Sequence, residues 1–229
     1  MLAASKTDFR AWTKGIGQAR LVDRDSCLLE MARGKRVLHV GATDSPFTEK
    51  NAAVGELLHM KLRAVAKEVV GIDTDEEAVR HLRDHYGIVD IVVADACAPL
   101  QPPISGQKFD LILCCDVIEH VENPGGLLRT ARAVAGEETQ VVVTTINAIA
   151  LKPLLRALLL RREAVHPDHV AYYSLCTLGS LFERSSLEVC AWGTFAYGSR
   201  WRITGALQDV IFRMRPEVAD GLIVVARPV

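Results

Sequence analysis

Arg36-Val-Leu-His-Val-Gly41 is a short apolar run that ends in glycine, and it begins a regular alternation along the chain. Similar apolar runs recur further on, and most of the segments between them carry helical patterns. This alternation is typical of βαβ units. The predicted strands are 36–41, 68–73, 89–94, 109–115, 140–145, 187–194 and 221–227. The predicted helices are 55–67, 75–86, 124–135, 149–161 and 175–185.

Most of the predicted strands are continuously apolar, as expected where helices cover both faces of a parallel sheet. The pattern therefore predicts an α/β fold: a Rossmann-like three-layer sandwich with a mostly parallel seven-stranded sheet. Segment 198–220 shows no long amphipathic helical pattern, so the last two strands are predicted to form an antiparallel C-terminal pair. Residues 1–34 are predicted to be an N-terminal helical segment that forms a lid or packs at the sheet edge.

Composition narrows the possible classes of function. The chain has 229 residues and a formal net charge of −1, which fits one domain and gives no basic surface for nucleic acid. The six cysteines show no CxxC spacing, which favours a reducing compartment. No apolar run reaches the roughly 18 residues of a membrane span, so we expect a cytoplasmic protein. The apolar stretch 148–160, with Arg161 and Arg162 after it, leaves open an interfacial role at anionic lipid.

Three predicted strands end in residues that suit a nucleoside ligand. Open parallel sheets bind such ligands at the carboxyl ends of their strands. Gly41 would let the ligand approach the backbone, although it could equally be a simple turn. Asp73, followed by Thr74, could bind both ribose hydroxyls or cap the next helix. Asp95, beside Ala96, could accept a hydrogen bond from an adenine amine or cap a turn.

Phe109-Asp-Leu-Ile-Leu-Cys-Cys-Asp116-Val-Ile-Glu119-His120-Val-Glu-Asn-Pro124 is the most specific stretch of the chain. With the preceding residues it resembles the class I S-adenosylmethionine-dependent methyltransferases, whose fourth-strand segment commonly reads FDxIxxxDVxEHVxxP. The resemblance covers residues 35–195 and continues at His169-Val-Ala-Tyr-Tyr-Ser. It implies a methyltransferase domain over 35–229, an acceptor-site cap over 146–175, and S-adenosylmethionine as the cofactor, with Asp116 beside it.

The cofactor loop departs from the family pattern, because Gly41-Ala-Thr-Asp44-Ser-Pro keeps only the first of the usual glycines. This loop argues against a dinucleotide, whose phosphates need a glycine-rich turn onto a helix N-terminus. S-adenosylmethionine has no phosphate. Its methionine end could be held by Thr43, by the backbone of Asp44 or by the N-terminal segment.

A methyl transfer to a hydroxyl needs a base, and His120 is our candidate because an imidazole with a pKa near 6.5 accepts protons at neutral pH. The resemblance implies that Asp116 and His169 also lie at the reaction site. Asp116, Glu119 and His120 would share one face if their turn is helical. Glu119, His120 and His169 or His166 could then hold a divalent metal, as in some members of the class, although a metal is not favoured.

The sequence therefore predicts a methyltransferase that acts on oxygen in a small hydroxylated metabolite, either a sugar or glycan or a natural-product precursor. A metal-assisted RNA 2′-O-methyltransferase and a non-catalytic adenosyl-binding module are the alternatives. We expect a small-molecule acceptor and no nucleic-acid partner. A homodimer remains open.

Overall fold

The structure is a computed structural model that describes residues 2–4, 12, 15–197 and 202–229, with the backbone alone for 202–207. The strands are β1 Ala3–Ala4, β2 Arg36–Val40, β3 Glu68–Asp73, β4 Ile91–Val93, β5 Phe109–Cys115, β6 Ala135–Ile146, β7 Leu187–Phe195 and β8 Gly221–Pro228. The helices are α1 Arg24–Ala32, α2 Thr48–Ala53, α3 Leu58–Val65, α4 Glu76–Tyr86, α5 Pro124–Val134, α6 Leu151–Leu160, α7 Leu175–Arg184 and α8 Arg202–Met214.

The strands form one mixed sheet in the order β1-β7-β8-β6-β5-β2-β3-β4. Strands β4, β3, β2, β5 and β6 pair in parallel. Strand β8 is antiparallel to both β6 and β7, and β1 adds a two-residue antiparallel edge to β7. All seven predicted strands are present, and the Rossmann-like fold with its antiparallel C-terminal pair is confirmed.

Helices cover both faces of this sheet, as the continuously apolar strands predict. Strand β5 shows how its residues divide: Ile112 and Cys114 join a core with α5 and α7. Leu111 and Leu113 join a second core with α1 and α3 on the other face. A smaller cluster beneath α2 and α4 closes the β4 end of the sheet.

Two helical predictions differ from the structure. The predicted helix 55–67 begins later, at Leu58 in α3, and a separate short helix, α2, precedes it at Thr48–Ala53. Segment 198–220, predicted to lack a long helix, contains α8. Its apolar residues do recur with a helical period, at Ile203, Leu207, Val210 and Met214, but Gly205 interrupts the pattern and lowers its helix propensity.

The N-terminal segment is less helical than expected. Of its described residues, only Arg24–Ala32 are α-helical, and Ala3–Ala4 form the edge strand β1. The rest of the predicted segment up to residue 14, apart from residues 2–4 and 12, lies outside the described residues. Helix α1 begins at Arg24 because the side chain of Asp23 accepts a hydrogen bond from the backbone N–H of Ser26 (2.9 Å), a typical N-cap. Within the described chain, no helix is both long and apolar enough to cross a bilayer.

Candidate active site

A cavity of about 1140 Å³ lies at the carboxyl ends of β2 to β5. The strand order reverses there between β2 and β5, which is where open α/β sheets bind ligands. The cavity brings together all the residues that the sequence predicts for the site: Gly41, Thr43, Asp73, Thr74, Asp95, Ala96, Asp116, Glu119, His120 and His169. The wall also contains residues that the sequence did not suggest, Arg24 and Tyr197 among them.

Gly41 is required by the fold itself, whatever the cavity binds. Its φ is +75°, and a Cβ at this position would lie 2.4 Å from Cγ2 of Val117. A side chain would therefore collide with the turn after β5 before it reached any ligand. The sequence predicted that a ligand approaches the backbone of Gly41. In the structure, the side chain of Val117 makes this close approach.

Replacing Gly41 by alanine is expected to lower the free energy of unfolding by about 2–4 kcal/mol, because left-handed strain and overpacking add. Urea unfolding measures this loss. The double variant Gly41→Ala with Val117→Ala should recover the overpacking part and keep the backbone strain. A single variant as stable as the parent protein would contradict this account.

Asp73 ends β3 and already has protein partners. Its Oδ2 accepts hydrogen bonds from the backbone N–H and the hydroxyl of Thr43, both at 2.9 Å. Its Oδ1 accepts from the backbone N–H of Asp75 (3.0 Å). A carboxylate has about four acceptor positions, so the position left on Oδ1 can accept one ribose hydroxyl. The helix cap proposed for Asp73 is instead Asp75, which accepts from the N–H of Ala78.

Thr43 therefore has no donor left for the methionine carboxylate of a cofactor. It is almost fully buried, and both of its donors go to Asp73. Asp95, by contrast, is exposed, and its Oδ1 accepts from the backbone N–H of Cys97 (2.7 Å). It caps a turn, as one sequence reading suggested, and its Oδ2 remains able to accept an exocyclic amine.

Asp116 is fixed by Arg24 and by strand β6. Its Oδ2 accepts from Nη2 of Arg24 at 2.7 Å, and its Oδ1 accepts from the hydroxyl of Thr144 at 2.9 Å. Its backbone has a φ of +53° and donates to the carbonyl of Thr144. Burial tends to lower the pKa of Arg24, but Asp116 and other nearby acidic groups raise it overall. Helix α1 thus places a permanent cation in the cavity wall.

The segment after β5 is a turn and not a helix, so the shared helical face expected for Asp116, Glu119 and His120 does not form. Helix α5 begins only at Pro124. Glu119 is buried and His120 is exposed. Burial and the nearby Asp116 raise the pKa of Glu119 to about 7, which suits a carboxyl held inside the protein. Its backbone carbonyl accepts from the N–H of Val170 (2.8 Å) and fixes the loop that carries His169.

Three histidines meet at one end of the cavity. The ring centroids of His120 and His169 lie 4.5 Å apart, and His166 lies 5.5 Å from His120. Burial and the neighbouring His166 ring lower the pKa of His120, and burial together with the other two rings lowers that of His169. His120 and His169 are therefore neutral at pH 7, and a neutral imidazole can accept a proton or bind a metal.

The histidines also form a group of possible metal ligands that differs from the predicted one. One nitrogen from each of His120, His166 and His169 lies within 4.8 Å of the others. The Nδ1 atom of His169 is buried without a hydrogen-bond partner among the described residues. Glu119 does not belong to this group, and its side chain is buried whereas His120 is exposed.

This fold, with a cavity that has aspartates at the carboxyl ends of β3, β4 and β5, is that of the class I S-adenosylmethionine-dependent methyltransferases. A family model described as a methyltransferase domain matches residues 17–191, which is more than half of the chain. The chain therefore belongs to the methyltransferase domain family. This confirms the resemblance and indicates the predicted cofactor, S-adenosylmethionine.

Two curated relatives illustrate the similarity. A probable S-adenosylmethionine-dependent methyltransferase of Mycobacterium tuberculosis H37Rv is 27% identical over 142 residues, covering 62% of this chain and 48% of that protein. A ubiquinone biosynthesis O-methyltransferase of Bordetella parapertussis is 28% identical over 116 residues, covering 50% of this chain and 44% of that protein. The chain thus spans about half the length of these relatives.

Solved structures show the same fold. A SAM-dependent methyltransferase from Aquifex aeolicus superposes with a TM-score of 0.57 at 17% identity and covers 91% of each chain. One from Archaeoglobus fulgidus gives a TM-score of 0.57 at 15% identity, with 89% of this chain and 91% of the other covered. At such identities the likeness concerns the fold alone.

Proposed function

We propose that this chain transfers the methyl group of S-adenosylmethionine to a hydroxyl oxygen of a small metabolite, either a sugar or glycan or a natural-product precursor. The observation that carries the proposal is the position of His120, which lines the same cavity as Asp73 and Asp95. The proposed nucleoside subsite and a neutral base thus share one cavity. One of the relatives acts on oxygen, as its name states.

His120 would act as the general base. S-adenosylmethionine supplies an electrophilic methyl group on sulfur, and an imidazole nitrogen of His120 takes the proton that the attacking hydroxyl loses. Its lowered pKa keeps the ring neutral and able to accept that proton at pH 7. His169, whose ring packs edge-on against that of His120, would hold the base in position.

The nucleoside end would bind across Gly41, Thr74 and Ala96, with two carboxylates fixing its orientation. Asp73 has one free acceptor position on Oδ1 for a ribose hydroxyl. Asp95 has a free Oδ2 for the adenine amine. Both carboxylates line the cavity, which matches the way a mostly apolar pocket orients a ligand with a few polar groups.

Arg24 would hold the methionine carboxylate in place of the missing glycines. Its Nε, Nη1 and Nη2 atoms bond Thr144, Asp25 and Asp116. Nη1 and Nη2 each keep a second N–H, and the side chain lines the cavity. This is the N-terminal route to the methionine end that the sequence left open.

Replacing Arg24 by methionine is expected to weaken binding of S-adenosylhomocysteine about tenfold, because a charge-assisted hydrogen bond is lost. Methylthioadenosine, which lacks the amino-acid group, should lose much less affinity. Calorimetric titration of both ligands separates the two effects. Arg33→Met, at the exposed end of the same helix, serves as the control. Equal losses for both ligands would show that Arg24 acts only through Asp116.

A metal-assisted form of the same reaction is favoured by one observation, the group formed by His120, His166 and His169. Three imidazole nitrogens fit zinc, or another divalent ion that accepts nitrogen ligands. A bound ion would supply Lewis-acid activation of the acceptor hydroxyl. The free Nδ1 of His169 agrees with such a ligand set.

Transfer of labelled methyl from S-adenosylmethionine to a panel of hydroxylated acceptors tests the proposal. An O-methyl product is expected from at least one sugar or natural-product precursor. Cofactor binding without transfer to any acceptor would favour the non-catalytic adenosyl-binding module. Transfer to RNA, sensitive to salt as phosphate contacts are, would favour the RNA 2′-O-methyltransferase.

A further inference from the structure

Helix α6 carries an apolar face that the protein does not cover. Its leucines follow the i, i+3, i+4, i+7, i+8 spacing that normally faces a core, at Leu151, Leu154, Leu155, Leu158 and Leu159. Yet none of the ten residues of α6 is buried. Leu158 and Leu159 are 68% and 76% exposed. Exposed apolar faces of this kind mark sites of interaction.

The charged residues of α6 and of the segment 148–162 around it all have the same sign. Segment 148–162 contains Lys152, Arg156, Arg161 and Arg162 and no acidic residue. Lys152 is bound to Asp220 at 2.7 Å, which ties the start of the helix to the domain. Among the described residues, no hydrogen bond or ion pair engages the side chains of the three arginines. Leucines on one face with free arginines beside them suit a surface that is both apolar and anionic.

The helix has the dimensions of an interfacial element. Ten residues span about 15 Å, too short to cross a hydrocarbon core of about 30 Å. Helices of this composition lie in the plane of the headgroups with the apolar face in the acyl boundary. Helix α6 follows β6, whose last residue, Ile146, lines the cavity. Helix α6 therefore follows a strand that ends at the cavity. A bilayer bound by α6 would lie near the same end of the sheet.

We propose that α6 anchors this chain to the surface of an anionic lipid bilayer, with Leu154, Leu158 and Leu159 in the acyl boundary and Arg156, Arg161 and Arg162 at the phosphates. This binding goes beyond methyl transfer and does not depend on it. It gives the predicted acceptor cap a second role, as the element that brings the domain to a membrane surface.

Flotation with vesicles tests the apolar face. The parent protein should float with phosphatidylcholine vesicles that contain about 30% phosphatidylglycerol, and not with phosphatidylcholine alone. Leu159→Glu should weaken this binding about tenfold, since a leucine contact is lost and a charge is added. Val89→Glu is the matched control, because Val89 is similarly exposed at 73% but precedes the edge strand β4, which is separated from β6 by β5, β2 and β3.

The charge contribution has its own pair of variants. Arg162→Glu should weaken binding to the anionic vesicles about tenfold, whereas Arg162→Lys should bind like the parent protein. Failure to float with anionic vesicles, or equal flotation with neutral ones, would overturn the proposal. So would a dimer that Leu159→Glu turns into a monomer without any vesicle binding by the parent protein, because α6 would then be an interface between two copies of the chain.

Discussion

Replacing His120 by alanine is expected to lower kcat about 10²-fold or more, since general-base catalysis contributes at least that much. The affinity for S-adenosylhomocysteine should stay nearly unchanged, because the proposed nucleoside subsite is formed by Asp73 and Asp95 and does not include His120. Initial rates and calorimetric titration measure the two quantities separately. An unchanged kcat would remove His120 from catalysis.

The pH dependence gives a second readout of the same residue. Because burial and His166 lower the pKa of His120, the neutral base form persists below the ordinary value of about 6.5. The rate should therefore fall only as the pH drops below this value, and the fall should be absent in His120→Ala. An acid limb that lies above it would contradict the assigned environment of the ring.

His166→Ala separates the base from the metal. If His120 acts as a simple base, loss of the neighbouring His166 raises its pKa, so the acid limb moves to higher pH while the plateau rate is kept. If His120, His166 and His169 hold a metal, the same variant loses a ligand. We then expect both the metal affinity and the activity to fall at least about tenfold, since even the loss of a residue that only orients a ligand has an effect of that size. Titration with zinc distinguishes the two outcomes directly.

The sequence was most informative where local chemistry determines position. A short apolar run predicts a strand, and the Gly41, Asp73 or Asp95 at its end marks the edge of the sheet where ligands bind. For that reason the cavity contains every residue predicted for it. The FDxIxxxDVxEHVxxP segment likewise identified the strand β5.

Features that depend on contacts between distant segments could not be read from the sequence. Arg24 reaches Asp116 across 92 positions of the chain, and its local sequence shows only a helix start. The side chain of Glu119 is buried because its segment forms a turn. The sequence pattern was equally compatible with a helix. The proximity of His166 to His120 is a property of the loop that the carbonyl of Glu119 holds, and nothing in the spacing measures it.

Replacing Asp73 by alanine is expected to weaken binding of S-adenosylhomocysteine about 100-fold, because a charge-assisted hydrogen bond is lost and the donors of Thr43 and Asp75 are left without their acceptor. Glu77→Gln, which removes an exposed charge from α4, is the control. An analogue without one ribose hydroxyl completes a double-mutant cycle. The deletion should weaken binding to the parent protein and have no further effect in Asp73→Ala. Additive losses would mean that Asp73 organises the loop at Thr43 without touching the ribose.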